Sequence, residues 1–441
     1  MFFCGLFGLI PILLYPLNAV RLTPAAGPVQ AEIPLASSKS ESNRALLIDA
    51  LSGFQCDLKN LSTARDTQTM IRLLQADRQH PAGELTTADV LDAGTTMRFL
   101  TAYFTVTGRH KIMTGTPRMC ERPIGILVDA LRTLGADVTY LKNDGYPPMQ
   151  LNGFTASGVN QLSIRGDVSS QYISAMLMVG ATLPQGLTLH LTGAIGSRPY
   201  IEMTMAQMVY FGADVQADWA AKTIIVAPKS YVGKSYQIES DWSGASYWYS
   251  VLALAQDSSA TIDLLGLKEK SLQGDSAIVD IMRSLGVEST FTETGVRLTK
   301  RPTEASLSWD FTDCPDLAQT VAVAAGVLGI PLTLTGIESL KIKETDRVAA
   351  LQAELQKLGA ELVEMETNHR YEVRKRTDAS TDTVPQIDTY DDHRMAMAFA
   401  PVATQREIII EEPGVVAKSY PSFWDDMARV ATVAEVSAID Q

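Results

Sequence analysis

The sequence predicts an α/β protein of six repeated units, folded as two three-fold domains with helices enclosed by their own sheets. Three observations predict it. Four helix-to-strand junctions share one ending: LRTLGADVTY (131–140), MVYFGADVQA (208–217), MRSLGVESTF (282–291) and LQKLGAELVE (355–364). Their glycines, Gly135, Gly212, Gly286 and Gly359, are spaced by 77, 74 and 73 residues, and a chain of 441 residues holds about six such periods. Glycine accepts the left-handed conformation that closes a helix, so each junction reads as an amphipathic helix stopping before a short strand. The second observation is a set of segments apolar on every side: SESNRALLIDAL, AGTTMRFLTAYF, SSQYISAMLMVGA, SGASYWYSVLALA, CPDLAQTVAVAAG and DDHRMAMAFAPVA. That pattern belongs to a helix buried all round. The third is alternation between these helices, as in LTLHLTGA, TIIVAPKS, GVRLTK and PLTLTGI, which reads as strands.

Taken in chain order, Met1 to Val20 is apolar, with no Lys or Arg before Arg21 and with Pro11 and Pro16 inside it. It lacks the charged start of a signal peptide, and its prolines oppose a spanning helix, so an extension or mis-assigned start is expected ahead of a targeting segment. No other stretch approaches the ~20 apolar residues that a membrane span requires. Each buried-helix segment then opens on Ser, Asp, Gly or Pro chemistry suited to a helix start. If three such helices lie parallel in each domain, their positive ends converge on one face.

Bulk properties bound the function. At 441 residues the chain exceeds one ordinary core, so two or more domains are expected. A net charge of −13 argues against nucleic acid as a partner. Cys4, Cys56, Cys120 and Cys314 show neither CxxC nor metal-ligand spacing, and read as reduced thiols of a cytoplasmic protein. Against this acidic body, cations concentrate in three runs: Ser38-Lys39-Ser40-Glu41-Ser42-Asn43-Arg44, Lys343-Glu344-Thr345-Asp346-Arg347 and Asp391-Asp392-His393-Arg394. Each leads into a helical pattern, where unpaired backbone N–H groups and the helix dipole already favour anions. Together they point to one site for a multiply charged small anion. Taken alone, each run has a plainer reading. KETDR suits a solvated helix start, and Ser169 with Ser170 suits a simple cap. His393 suits structure as well as catalysis, and Arg118 and Arg122 suit pairing with Glu121 or surface acids.

The motifs SSKSESNRAL, DAGTTMRFL, TPRMCERPIG, GDVSSQ, GSRPYIEMT, KIKETDR and TYDDHRMAM, in this order and spacing, resemble those of the 5-enolpyruvylshikimate-3-phosphate synthase family. The resemblance runs from about Ala31 to Trp424. It implies an inside-out α/β barrel in each of two domains, with six βαβαββ repeats, three per domain. The expected division is 1–37 with 241–441 as one domain and 38–240 as the other, with crossovers near 37–39 and 239–242. It further implies transfer of the enolpyruvyl group of phosphoenolpyruvate to the 5-hydroxyl of shikimate 3-phosphate, with release of phosphate, through a tetrahedral intermediate.

Carried over residue by residue, the resemblance assigns shikimate 3-phosphate to Lys39, Ser40, Arg44, Ser169, Ser170, Gln171, Ser197, Asp316 and Lys343, with Arg198 and Tyr200 beside Ser197. It assigns phosphoenolpyruvate to Lys39, Gly94, Arg118, Gln171, Arg347, Arg394 and Lys418, with Thr95 and Arg98 alongside. Asp316, Glu344 and Lys39 are the catalytic candidates: Asp316 as base for the hydroxyl, and Glu344 or Lys39 as donor to the methylene. The types suit the chemistry, because Arg forks match phosphate and carboxylate, and a hydroxyl nucleophile needs a base. The scheme calls for no metal and no cofactor, and the chain is expected to act as a monomer on its two small-molecule substrates without nucleic acid or membrane. Asp92 stands where the family usually has Asn, and Ser339 where it usually has a shikimate-binding Asn, so Ser339 is left out of the site. A related alternative is an enolpyruvyl transferase acting on UDP-N-acetylglucosamine, which carries a reactive cysteine near the position of Cys120. A non-catalytic repeat scaffold is the remoter one.

Overall fold

The computed structural model describes residues 19–81, 83–167, 169–376 and 383–436. The expectation for the apolar N-terminal stretch, and Cys4 with it, lies outside the described residues apart from Ala19 and Val20. The described residues form six sheets, five of four strands and one of two. In three of them, one contiguous segment writes the same pattern. Thr86–Asp89 pairs in parallel with Lys111–Thr114, and the hairpin of Ala136–Tyr140 and Met149–Phe154 completes the sheet antiparallel. Gln161–Arg165 and Leu187–Thr192 repeat this with Val215–Asp218 and Thr223–Val226. Leu307–Asp310 and Leu332–Thr335 repeat it again with Ala360–Glu366 and Arg370–Lys375.

The other three sheets borrow strands from far along the chain. Gln30–Ile33 joins Thr261–Leu265 in parallel, and Ala19–Pro24 lies between Ile408–Glu411 and Ala431–Val436. Asp57–Lys59 pairs only with Ser235–Gln237, so the sixth unit has a two-stranded sheet rather than a complete repeat.

Each predicted buried helix forms: Lys39–Leu51, Gly94–Val106, Ser170–Gly180, Trp242–Leu254, Ala318–Leu328 and His393–Phe399. The first three touch one another, and so do the last three, which places their Ala, Leu, Met and aromatic faces inside rather than over the sheets. Two hydrophobic clusters result. One joins Val20–Leu35 to residues between Trp242 and Ala431; the other runs from Leu46 to Tyr231. The repeated glycines do what their spacing predicts: Gly135, Gly212, Gly286 and Gly359 all have positive φ. At Gly135 the requirement is steric as well, since a Cβ there would stand 1.9 Å from the Thr155 carbonyl oxygen.

Caps divide by sequence. Ser38, Ser169, Asp241 and Asp392 accept a backbone N–H from the turn they open. The helices starting at Gly94 and Ala318 have no side-chain cap, and Pro315–Leu317 leads into the latter as a 3-10 turn. The KETDR run leads into a helix that begins at Arg347 with Asp346 as its cap, so Lys343 and Glu344 precede it in the connection from Glu338–Ile342. Asp346 captures the free N–H of Ala349 and thereby ends the loop one residue before Arg347. Among the described residues no helix is long and apolar enough to cross a membrane.

Candidate active site

The starts of the buried helices, with the loops beside them, frame a polar cleft. Ser40 and Arg44 come from the first helix, Thr95 and Arg98 from the second, and Ser170 and Gln171 from the third, with Ser169 as its cap. Ser197 and Tyr200 add the next loop, and Pro315, Asp316, Ser339 and Lys343 face them from the later part of the chain. Arg122 lines this cleft and also a second cavity, shared with Arg65, Asp92, Arg118, Glu344 and Lys418.

Arg44 is buried and bound from several sides. Its guanidinium donates to Thr204 Oγ1 at 2.7 Å, to the Ser40 carbonyl at 2.9 Å and to Ser174 Oγ at 3.3 Å. Burial brings its pKa down to about 10, against support from Tyr200 and Glu41. Arg347 is 1% exposed and grips three carboxylates: Asp392 at 2.6 Å, Glu344 at 2.9 Å and Asp316 at 3.0 Å. Arg394 holds Asp316 Oδ2 at 2.9 Å, and Lys343 stands 3.8 Å from Oδ1, the oxygen that Arg347 also binds. Burial alone would raise the Asp316 carboxyl, but Arg394, Lys343 and Arg347 hold it well below the usual carboxylate range. Glu344 behaves alike: burial opposes ionisation, and Lys418, Arg347 and Arg122 overcome it. Both acids are therefore ionised and act as internal counter-ions to the cations.

Lys39 pairs with Asp66 at 3.1 Å from the first residue of its helix, and lines neither cavity. His393 is buried and held neutral, first by burial and then by the nearby charges of Lys39 and Arg394. Neither of its ring nitrogens has a hydrogen-bond partner among the described residues, although Asp392 Oδ1 stands 3.5 Å from Nδ1.

Ser40, Arg44, Ser169, Ser170, Gln171, Ser197, Asp316 and Lys343 thus meet in one cleft, joined through Asp316 to Arg347 and Arg394. Gln171 Nε2 donates to Thr95 Oγ1 at 3.0 Å, fixing the third helix start against the second. Gly94 faces the cations directly, since a Cβ there would meet Arg122 at 2.9 Å and Arg98 at 3.0 Å. Three placements bear on the sequence assignments. Arg118 is half exposed and donates to the carbonyls of Glu344 at 3.2 Å and Lys343 at 3.3 Å, so it latches a loop at the rim. Arg122, for which surface pairing was the plainer reading, points inward with a side chain 12% exposed, 3.7 Å from Glu344. Ser339, left out of the site, lines the cleft. The inward position of Arg122 follows from the 3-10 turn Met119–Glu121, which no residue pattern in the run announces. Arg198 turns away to pair with Glu202 and stack on Trp219. Cys120 lines neither cavity.

Fold and cleft define a class: α/β proteins whose polar cleft is walled by facing cations with ionised carboxylates among them, a lining suited to small, multiply charged anions. The chain belongs to the EPSP synthase (3-phosphoshikimate 1-carboxyvinyltransferase) family, whose profile matches residues 24–427. A 3-phosphoshikimate 1-carboxyvinyltransferase of Bacteroides fragilis is 47% identical over 411 residues, covering 92% of this chain and 97% of that protein. The enzyme of the same name from Pseudoalteromonas atlantica is 33% identical over 442 residues, covering 96% and 99%. Among solved structures, EPSP synthase from Acinetobacter baumannii superposes with a TM-score of 0.73 at 18% identity over 95% of this chain, a likeness of fold.

Proposed function

We propose that this chain transfers the enolpyruvyl group of phosphoenolpyruvate to the 5-hydroxyl of shikimate 3-phosphate and releases phosphate. The observation that carries the reading is the set of ionised carboxylates, Asp316 and Glu344, held by the same cations that would bind the substrates. Ser40, Arg44, Ser169, Ser170, Gln171, Ser197 and Lys343 would hold shikimate 3-phosphate. Lys39, Gly94, Arg122, Gln171, Arg347, Arg394 and Lys418 would hold phosphoenolpyruvate, with Arg118 as a latch.

Asp316, ionised, takes the proton of the 5-hydroxyl as the oxygen attacks C2 of phosphoenolpyruvate. The C3 methylene gains a proton from Lys39, or from Glu344 once that carboxylate has taken one up from solvent, which completes a tetrahedral adduct. Loss of a C3 proton then expels phosphate and restores the double bond. In the free site Asp316 is a weak base because Arg347 and Arg394 hold it. A substrate carboxylate that draws those guanidinium groups away raises its basicity at the moment it is needed.

The membership of the family disfavours the UDP-N-acetylglucosamine reading. A division into 1–37 with 241–441 and 38–240 is likewise proposed, supported by the two clusters and by the bridge between Ser37 and Ser240. A monomer is proposed because one chain lines the whole cleft, and a cytoplasmic location because Cys56, Cys120 and Cys314 are free thiols. The test is phosphate release from phosphoenolpyruvate. It is expected only with shikimate 3-phosphate present, and about 10²–10⁴-fold slower in Asp316→Asn. Release driven by UDP-N-acetylglucosamine would reject the assignment.

A further inference from the structure

The second cavity contains an ion-pair relay whose outer members, Arg65 and Asp92, the reaction scheme leaves unused. Lys418 ends the turn Pro413–Lys418, and its side chain is 4% exposed. Its ammonium lies 3.2 Å from Asp92 Oδ2, 3.2 Å from the Asp92 carbonyl oxygen and 3.2 Å from Glu344 Oε1. The same Asp92 Oδ2 also accepts from Arg65 at 2.7 Å, the shorter of its two ion pairs. Arg65 is the first residue of the helix Arg65–Arg78, with its side chain 44% exposed. One carboxylate oxygen thus stands between an outer guanidinium and an inner ammonium, on the wall of a cavity that also holds Arg118 and Arg122.

A carboxylate in this place is a liability for an anion site. It repels an incoming phosphate, and it competes for the cation that would bind that phosphate. Burial opposes its charge, but Lys418 and Arg65 bring its carboxyl below the usual value, so it is ionised. We propose that Arg65 is a positioning residue: by neutralising Asp92 and dividing its hydrogen bonding, it keeps Lys418 available to the phosphate of phosphoenolpyruvate. This rests on Lys418 being a ligand of that substrate. Without Arg65, Asp92 keeps a full charge with Lys418 as its remaining ion-pair partner, and the pair closes on itself. Arg65 is exposed and at a helix start, so its removal leaves the buried helices and their packing intact.

The test separates this role from a structural one by a split between KM and kcat. Arg65→Ala is expected to raise KM for phosphoenolpyruvate about three- to tenfold, the size of a half-exposed charge contribution, with kcat nearly unchanged. Calorimetric affinity for shikimate 3-phosphate should stay the same, and Arg65→Lys should restore most of the loss. The decisive variant is Arg65→Ala combined with Asp92→Asn, which should return KM to the wild-type range because the charge needing neutralisation is gone. An unrestored double variant means Arg65 binds the anion directly and overturns the proposal. An unchanged KM in Arg65→Ala, while Lys418→Ala raises it, overturns the proposal and leaves the ligand reading standing. An unchanged KM in Lys418→Ala refutes that reading itself.

Discussion

Two arginines four residues apart show how much a single side chain's direction decides. Arg118 and Arg122 flank one short turn, and either suits a phosphate by chemistry. Arg118 spends its donors on Glu121 Oε2 and on two carbonyls of the KETDR loop, at the surface. Arg122 stands against the bare Cα of Gly94, with Arg98 beside it and Glu344 opposite. Arg122→Ala is therefore expected to lower kcat/KM for phosphoenolpyruvate by about 10- to 100-fold, the worth of a charged hydrogen-bonding group in a desolvated site. Arg118→Ala should cost less than about fivefold, since the latch is exposed. Steady-state kinetics with phosphoenolpyruvate varied checks both, and equal losses would contradict the inward and outward assignment. Asp316, Glu344 and Arg347 were legible as residue types, but their mutual grip was not, because three acids converge on one guanidinium from three separate segments.

Helix starts carry the chemistry of this protein, and one of them titrates. Asp241 caps Trp242–Leu254 by accepting from Gly244 N at 3.2 Å. Burial pushes its carboxyl up to about 6 from an ordinary 3.8; Arg394 opposes the shift and Asp275 adds to it. A folded pKa above the unfolded one contributes stability that is full below about pH 4 and lost as pH rises through 6. Asparagine caps as well as aspartate and does not ionise. Asp241→Asn should thus be more stable than the wild type at pH 8 by about 1–2 kcal/mol, with the advantage gone at pH 4. Thermal melts at the two pH values decide it; no pH dependence of the difference would show that Arg394 already compensates the charge. All six buried helices were readable from their apolar runs, four of them with a side-chain cap at the start. The start of the KETDR helix was not fixed by the run alone, because Asp346 and Glu344 are both acceptable near an N-terminus, and only the former reaches a free N–H.

Across the whole molecule, the cleft closes on contacts between groups far apart in sequence. Lys418 reaches Asp92, Arg122 reaches Glu344, and Ser197 N donates to the Thr312 carbonyl at 2.9 Å. The two facing walls both carry cations, Arg44, Arg98 and Arg122 on one and Lys343, Arg347, Arg394 and Lys418 on the other. Their mutual repulsion is partly offset by Asp316, Glu344, Asp392 and Asp92, and two multiply charged substrates would offset it further. Small-angle scattering should show the radius of gyration falling when phosphoenolpyruvate and shikimate 3-phosphate are added together, less so at high salt. An unchanged radius would count against a cleft that closes on its substrates.

The repeat of glycine-closed helices, the apolar helices and the cationic runs were all set by local pattern. A period of about 74 residues and a left-handed C-cap need no long-range information to be seen. Strand borrowing was decided only in three dimensions: Ala19–Pro24 completes a sheet with residues near the far end of the chain, and Asp57–Lys59 is left with one partner. So were the direction of Arg122, the place of Ser339 on the cleft wall and the relay from Arg65 through Asp92 to Lys418. Each of these depends on which distant backbone supplies the opposite charge or the empty space. Local sequence specifies where a helix begins and which side chains it offers, whereas pairing energy belongs to groups that meet only after the sheets have assembled.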